Sequence, residues 1–377
     1  MDITRTCYGL WNGGRFMNYG EALPDERLIP LIQSAYDKGI RTFMTADVYG
    51  CGQADELVGR ALAGIPRETY ALVGMIGHDF YTGQRDGSKG FPRFSNPALR
   101  SAAGYADYLK MATEKSLERC KTDHFDAVLL HNPDRIGYTG DTVWKAMESL
   151  KTTGLSHRLG VAPGPANGFP LDLILNFERF SELVDWAMII LNPFEPWPGE
   201  MILGAAEKHG VKIVARVVDY GGIFHDDVRP GHVFARQDHR SFRPAGWVES
   251  AQEKVAKIRP LADRHGLTLL QLACAWTLSQ KAVVSVVPTL TQEIGDGAKP
   301  ISEKLAELAT LPDVRLTADE CAFIREIGDN TGCMKLKGAN PAHEGPDLAD
   351  NWPLSEETLG AASRWNIDAG RALAYTH

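Results

Sequence analysis

The chain has 377 residues, of which 44% are hydrophobic and 23% are charged, and its net charge at pH 7 is −8. These values are typical of a folded globular protein and exclude a disordered chain or a collagen-like repeat. The acidic balance disfavours nucleic acid and anionic membranes as partners, and no apolar run reaches the roughly 18 residues of a membrane span. The six cysteines are scattered and the N-terminal residues carry no secretory signal, so a cytoplasmic location is expected.

From residue 5 to about residue 310, short apolar runs alternate with loops and helical stretches. The runs are almost continuously apolar, which is typical of parallel strands covered on both faces. The predicted strands are 7–10, 42–45, 70–73, 127–130, 159–161, 187–191, 211–215 and 283–287. Such β-then-α units in series predict a closed (β/α)8 TIM barrel. A doubly wound open sheet is the alternative, which the lack of a GxGxxG turn between a strand and a helix weakens.

Three segments interrupt this alternation: residues 77–106, residues 218–247 and residues 328–377. The first two follow the third and seventh predicted strands, and loops after strands lie on the C-terminal face of a barrel, where active sites occur. We therefore expect these long loops to form walls of the site rather than surface decoration. The predicted organisation is a barrel of residues 1–327 with a C-terminal extension, 328–377, packed on it.

Two predicted strands end in polar residues. The second continues as Thr-Ala-Asp-Val-Tyr-Gly (45–50), and the fourth as Leu-Leu-His-Asn-Pro-Asp (129–134). The first motif leads into Ala-Asp-Glu-Leu-Val-Gly-Arg-Ala-Leu (54–62), and together they resemble the active-site strand and helix of the aldo-keto reductases. The second resembles the Leu-His-x-Pro-Asp motif of that family, and residues 272–288 resemble its last helix and strand. The resemblance covers about residues 5–310.

The resemblance implies hydride transfer between a nicotinamide cofactor, NADP or NAD, and a carbonyl or alcohol carbon of a small molecule such as a sugar derivative. It implies that Tyr49 is the acid or base at the carbonyl oxygen, Asp47 the carboxylate beside it and His131 the imidazole that orients the substrate. A free tyrosine titrates near 10, so its pKa must be lowered for work at neutral pH. Each of the three residues alone is as well explained by a structural role, and their joint occurrence favours catalysis.

The chain departs from the family pattern at the end of the third predicted strand and at the nicotinamide contacts. Met75 stands where the family has the lysine that pairs with the aspartate and lowers the pKa of the tyrosine, and a thioether carries no charge. Ala162 and Pro163 replace a Ser-Asn pair, and Ile190 or Leu191 replaces a glutamine, both of which hold the carboxamide in the family. Three polar contacts to the nicotinamide ring are thereby lost.

The cofactor site implied by the resemblance lies after the seventh and eighth predicted strands. Its residues are Arg216, Val217, Asp219, Pro288 and Thr289. Pro288-Thr289 replaces a Pro-Gly pair of the family, and the helix predicted at 301–306 carries Glu-Lys in place of Glu-Asn. The N-terminus of that helix faces the site and suits a phosphate. Arg216 and His78 are candidates to supply the charge of the missing lysine.

Three functions follow from these residues. We expect an oxidoreductase of the aldo-keto reductase type. The second candidate is a non-redox lyase, dehydratase or isomerase, in which Tyr49, His131 and Asp47 move protons without a hydride. The third is a binding or regulatory subunit, since some members of the family are partners of ion channels. The substrate, the direction of the reaction and the oligomeric state are left open.

The insertion after the seventh predicted strand also contains histidines and aromatic residues. The histidines recur at intervals of seven: His225, His232 and His239. Zinc ligands are usually spaced more closely, so a solvated loop without a metal is expected. The aromatic residues near the ends of strands six and seven are Trp186, Trp197, Tyr220, Phe224 and Trp247. They are candidates for a stacking wall against a sugar, although packing is the more frequent role, and packing is also expected for Cys333.

Overall fold

The computed structural model describes residues 1–87, 90–164, 168–337 and 340–375. The strands are β1 (Cys7–Gly9), β2 (Thr42–Ala46), β3 (Ala71–Ile76), β4 (Ala127–His131), β5 (Leu159–Ala162), β6 (Val184–Ile190), β7 (Lys212–Arg216) and β8 (Val283–Val287). They form one eight-stranded sheet in chain order, with parallel neighbours throughout. A parallel bridge between Thr6 and Val286 joins its two edges. The predicted barrel is confirmed, and the open-sheet alternative is wrong.

Every predicted strand overlaps an observed one, and the ends differ where polar or small residues interrupt the apolar pattern. β3 continues past its predicted end through Gly74 because its register with β4 extends from Val73 to Ile76. β6 begins earlier than predicted and includes Asp185, whose carboxylate accepts a hydrogen bond from the backbone N–H of Leu159 at 3.0 Å. Hydrogen bonding to the neighbouring strand therefore continues β3 past Gly74 and includes Asp185 in β6, although neither residue fits the apolar pattern.

Helices cover the outer face of the barrel and one end of it. They are α1 (Asp25–Asp37), α2 (Gln53–Ala61), α3 (Tyr105–Cys120), α4 (Arg135–Thr139), α5 (Asp141–Thr152), α6 (Pro170–Phe180), α7 (Glu200–His209), α8 (Trp247–His265), α9 (Leu269–Leu278), α10 (Ile301–Ala309), α11 (Ala318–Ile327), α12 (Glu356–Arg364) and α13 (Ala369–Ala372). In the parts of the chain described above, no helix combines the length and the apolar character that crossing a membrane requires.

The barrel interior is filled by a compact set of apolar side chains. It includes Cys7, Trp11, Met44, Ala46, Val73, Met75, Ala127, Leu129, Ala162, Trp186, Met188, Val214 and Val287. Trp186 is thus a packing residue of the interior rather than part of a stacking wall. Tyr49 packs against this set from the C-terminal end of the strands, which places the predicted active-site residues at the mouth of the barrel.

The C-terminal extension contacts loops at the same end of the barrel. The ring of Trp352 stacks on that of Phe169, with centroids 3.6 Å apart. Asp350 forms an ion pair with the buried Arg93 in the loop after β3. The indole N–H of Trp197, after β6, donates to the carbonyl oxygen of Ala372 at 2.6 Å. The extension therefore borders the barrel mouth, while a domain boundary at residue 327 stays a prediction.

Candidate active site

The carboxyl ends of β2 and β4 bring the three predicted catalytic residues to the barrel mouth. Asp47 follows β2 directly, Tyr49 begins a single 3-10 turn (Tyr49–Gly52), and His131 is the last residue of β4. The rings of Tyr49 and His131 are perpendicular, with an interplanar angle of 89° and centroids 5.7 Å apart. A phenol and an imidazole therefore lie side by side at the barrel mouth.

Asp47 is fully buried, and neither of its carboxylate oxygens has a hydrogen-bond partner among the residues that the structure describes. Burial raises the pKa of Asp47 well above its usual range, and the nearby Asp55 raises it further. Arg119 opposes this shift, but its guanidinium is bound to Asp55 at 3.3 Å and to the hydroxyl of Tyr81 at 2.9 Å. Met75 lies beside Asp47, since its carbonyl oxygen accepts the Asp47 N–H at 3.3 Å. The local environment thus favours the neutral carboxylic acid.

The pKa of Tyr49 is shifted in the direction opposite to the one that the family's lysine would produce. Burial raises the pKa of Tyr49 to about 12, and the positive charge of Arg216 partly opposes this rise. Arg216 ends β7 and is the cation that acts on the phenol, as one of the two candidates predicted. Tyr49 therefore keeps its proton at neutral pH, which is the state needed for an acid at a carbonyl oxygen, although it is a weaker acid than an unshifted tyrosine.

His78, the other candidate for a replacement charge, is neutral. It follows β3 closely, and its ring lies 5.2 Å from that of His131. The side-chain amide of Asn132 donates to its Nε2 at 3.0 Å, and its Nδ1 lies 3.0 Å from the carbonyl oxygen of Phe91. Burial and the charge of Arg93 lower the pKa of His78 to about 3. A neutral imidazole does not supply the charge of the missing lysine, so Arg216 is the better of these candidates.

His131 is also neutral. Burial lowers its pKa well below the usual range, and the charges of Arg93 and Arg216 act in the same direction. Its Nδ1 atom is buried without a hydrogen-bond partner in the described ranges. An unsatisfied buried imidazole nitrogen at a cavity mouth is available to a polar ligand atom.

Comparison with known proteins decides the family. The family model for the aldo/keto reductase family matches residues 5–295. The chain belongs to the aldo-keto reductase family. It is 26% identical to versiconal hemiacetal acetate reductase of Aspergillus parasiticus, over 86% of this chain and 94% of that protein. The family model ends before the C-terminal extension, which lies outside the matched residues.

Solved structures of similar fold are also aldo-keto reductases. The glycerol dehydrogenase of Gluconobacter oxydans superposes with a TM-score of 0.67 at 23% identity, covering 87% of this chain and 92% of that one. An aldo/keto reductase of Klebsiella pneumoniae, solved in complex with NADP and acetate, gives 0.58 at 18% identity, with coverage of 86% and 91%. At these identities the superpositions show the shared barrel.

Two of the cofactor residues implied after β7 and β8, Asp219 and Thr289, are bonded to each other. The backbone N–H of Thr289 donates to one carboxylate oxygen of Asp219 at 2.7 Å, and that of Gly222 donates to the other at 2.9 Å. The N–H of Leu290 donates to the side-chain oxygen of Asn12 at 2.8 Å. The donors that a phosphate would use are thus already satisfied, and a buried carboxyl group stands beside them. Val217 and Pro288 lie in the same two loops.

The start of α10, where a phosphate site was expected, is occupied in the same way. The N–H of Ile301 donates to the side-chain oxygen of Gln292 at 3.1 Å. Lys304 is fully buried, with its ammonium 2.6 Å from the carboxylate of Asp227 and 2.8 Å from the carbonyl oxygen of Thr291. In this conformation a dinucleotide bound as the resemblance implies meets backbone donors that already have protein acceptors. Binding there requires the internal hydrogen bonds to be exchanged.

The histidines of the β7 loop have separate partners. His225 Nε2 lies 2.8 Å from the carbonyl oxygen of Thr289, and His232 Nε2 lies 3.1 Å from the carboxylate of Glu293. The ring of His239 contacts that of Tyr19. The spacing of seven residues therefore does not bring the three imidazoles to one point.

The aromatic residues near β7 pack around a half-buried arginine. The guanidinium of Arg243 lies 4.6 Å from the ring centroid of Tyr220 and 4.9 Å from that of Trp247. Phe224 packs on Phe194 within the outer core. These contacts are the packing role considered above. Cys333, the buried thiol of the extension, likewise packs near Trp197. Its sulfur lies 3.5 Å from the backbone carbonyl oxygen of Trp197.

Sequence reasoning missed Arg93, which contacts the candidate residue His78 beside His131. Arg93 is buried, donates through Nε to the carbonyl oxygen of Asn132, and lies 3.2 Å from Nδ1 of His78. Both Arg93 and His78 belong to the insertion that was predicted to wall the site. Their position in the loop after β3 indicated that they lie near the site. Their hydrogen-bond partners could not be predicted, because these depend on the path of the loop.

Proposed function

We propose that this protein is an oxidoreductase that transfers hydride between a nicotinamide cofactor and a carbonyl or alcohol carbon of a small molecule. Membership of the aldo-keto reductase family supports this proposal, as do a reductase among its relatives and the NADP in a similar structure. The observation that carries it is the contact between Tyr49 and His131 at the barrel mouth. The six free cysteines support a cytoplasmic location.

The protein's own side chains supply the proton chemistry of this proposal. Tyr49, which keeps its proton because burial raises its pKa to about 12, donates it to the carbonyl oxygen as the carbon is reduced. His131, neutral and with a free nitrogen, orients that oxygen by a hydrogen bond. Arg216 stabilises the negative charge left on the phenol. A nicotinamide cofactor, when bound, supplies the hydride.

The protonation states at neutral pH are those that carbonyl reduction needs. A phenol with a raised pKa is almost wholly protonated at neutral pH, so the phenolate base that oxidation of an alcohol requires is scarce. Asp47, buried and without a hydrogen-bond partner among the described residues, is disposed to be neutral and does not replace this base. We therefore propose carbonyl reduction as the principal direction.

The test is nicotinamide-dependent reduction of a small aldehyde such as 4-nitrobenzaldehyde, with NADPH and NADH in parallel. Tyr49→Phe is expected to lower kcat by at least about 100-fold, the usual scale of acid–base catalysis, without changing the Kd of the cofactor. Tyr8→Phe is the matched control, since Tyr8 is fully buried in the outer core away from the mouth. Turnover that needs no nicotinamide, or an active Tyr49→Phe variant, would overturn the proposal.

A further inference from the structure

Among the residues that the structure describes, the guanidinium of Arg216 has no ion-pair partner. Its Nη2 donates to the carbonyl oxygen of Pro163 at 3.1 Å, while its Nε is buried and has no hydrogen-bond partner within the described residues. A desolvated charge without a counter-charge is costly. An anion that binds beside the guanidinium removes this cost. The arrangement is therefore that of a binding site for a negatively charged ligand.

The surroundings of Arg216 do not supply the missing charge. The carboxylate that acts on it most strongly belongs to Glu195, which is already bound to the ammonium of Lys337 and, at 3.4 Å, to the guanidinium of Arg243. Lys337 and Arg243 thus share the carboxylate of Glu195, and Arg216 is a third cation beside them. Asp47, at the end of β2, is disposed to be neutral, and the carboxylate oxygens of Asp219 accept the backbone N–H groups of Thr289 and Gly222. Among the described residues, none of these three acids forms an ion pair with Arg216.

We infer that Arg216 binds the carboxylate of the substrate, and that the substrates are 2-oxo acids or the matching 2-hydroxy acids. Arg216 ends β7, and its Nη2 bonds to Pro163, which directly follows Ala162, the register partner of His131. Its charge also acts on Tyr49 and His131, so its ligand lies next to the reacting carbonyl. A carboxylate attached directly to that carbonyl meets this geometry. The planar fork of arginine also matches a carboxylate better than a neutral hydroxyl group. The inference rests on the proposed function.

A phosphate of the cofactor has the same charge and is the other source of an anion. The donors implied for the diphosphate lie after β8 and at the start of α10, where Thr289 and Ile301 already have protein partners. Arg216 instead lies at the end of β7, beside the proton-transfer residues. This position favours the substrate carboxylate over the cofactor.

The experiment measures binding by calorimetry without turnover. Oxamate is the unreactive 2-oxo acid analogue, oxamide its neutral counterpart and ADP the diphosphate probe. Arg216→Gln is expected to weaken oxamate binding at least tenfold, since hydrogen bonds to charged groups are the stronger ones, and to leave ADP unchanged. Arg216→Lys keeps the charge without the fork and is expected to lose less affinity. Arg135→Gln, at an exposed ion pair with Asp347, is the matched control.

Three results would overturn the inference: no oxamate binding to the native protein, equal binding of oxamide, or a loss of ADP affinity in Arg216→Gln with oxamate unaffected. If Arg216→Gln fails to fold, unchanged oxamate affinity in a folded Arg216→Lys variant also counts against it, because the lost fork must weaken the contact. The oxamate measurement needs neither a nicotinamide cofactor nor turnover. Its result can therefore be interpreted even if the proposed oxidoreductase activity is not found.

Discussion

Replacing Met75 by lysine tests how the charge around Asp47 sets the acidity of Tyr49. Met75 is fully buried in the barrel interior, and its backbone bonds to that of Asp47. We expect a lysine side chain at this position to reach the carboxyl group of Asp47, which has no hydrogen-bond partner among the described residues. We expect the ammonium group to ionise Asp47 and to lower the pKa of Tyr49 from its present value of about 12.

The size of the effect follows from simple electrostatics. A unit charge about 6 Å from the phenolic oxygen contributes about 3 kcal/mol at an effective dielectric constant of about 20, which corresponds to about two pKa units. The ionised Asp47 cancels part of this contribution, so a net fall of about one unit is expected. The rate of carbonyl reduction should then rise by up to about tenfold.

The assay is the titration of Tyr49 by NMR of ring-labelled tyrosine, assigned with Tyr49→Phe, together with the pH profile of reduction. Met75→Leu controls for packing, and Met188→Lys places a lysine elsewhere in the same interior. Thermal unfolding shows which variants are folded. A folded Met75→Lys protein in which Tyr49 titrates as before would refute the reasoning.

Three further perturbations test other parts of the structure. Asp219→Asn is expected to tighten NADPH binding by about tenfold in calorimetry, because it removes a charge from beside the N–H of Thr289; unchanged or weaker binding would contradict this. Trp352→Ala, which removes a 4% exposed ring, is expected to cost about 3–5 kcal/mol in denaturant unfolding, and a cost below about 1 kcal/mol would show that the extension packs loosely. Asp350→Asn is expected to lower kcat several-fold with little change in KM, because it leaves Arg93 unpaired beside the residues that support the imidazole. Steady-state kinetics equal to those of the native protein would disconnect the extension from the site.

The meeting of Tyr49 and His131 was predictable because carboxyl ends of parallel strands share one end of a barrel. The order of motifs likewise predicts that Met75 stands at the position of the family's lysine; Met75 is buried, and its carbonyl oxygen accepts the backbone N–H of Asp47. What a strand end carries can therefore be read from short local patterns. These residues needed no knowledge of the loops.

The loops set the limit of such prediction. Lys304 looked like a replacement at a phosphate site, yet it pairs with Asp227 in the β7 insertion. Asp219 was predicted to face the cofactor, and its hydrogen bond to Thr289 depends on how two loops approach each other. Neither partner shows a periodic pattern, because long-range ion pairs and backbone bonds in loops follow from the chain's path rather than from its hydrophobic spacing.

The most direct test of the proposed chemistry follows the hydride itself. The protein is incubated with NADPH or NADH carrying deuterium at the transferable position and with a small carbonyl substrate, and the product is analysed by mass spectrometry. Hydride transfer predicts one deuterium on the former carbonyl carbon, and loss of this product in Tyr49→Phe. A product that forms without the nucleotide, or that carries no deuterium from either face of the ring, would contradict the account.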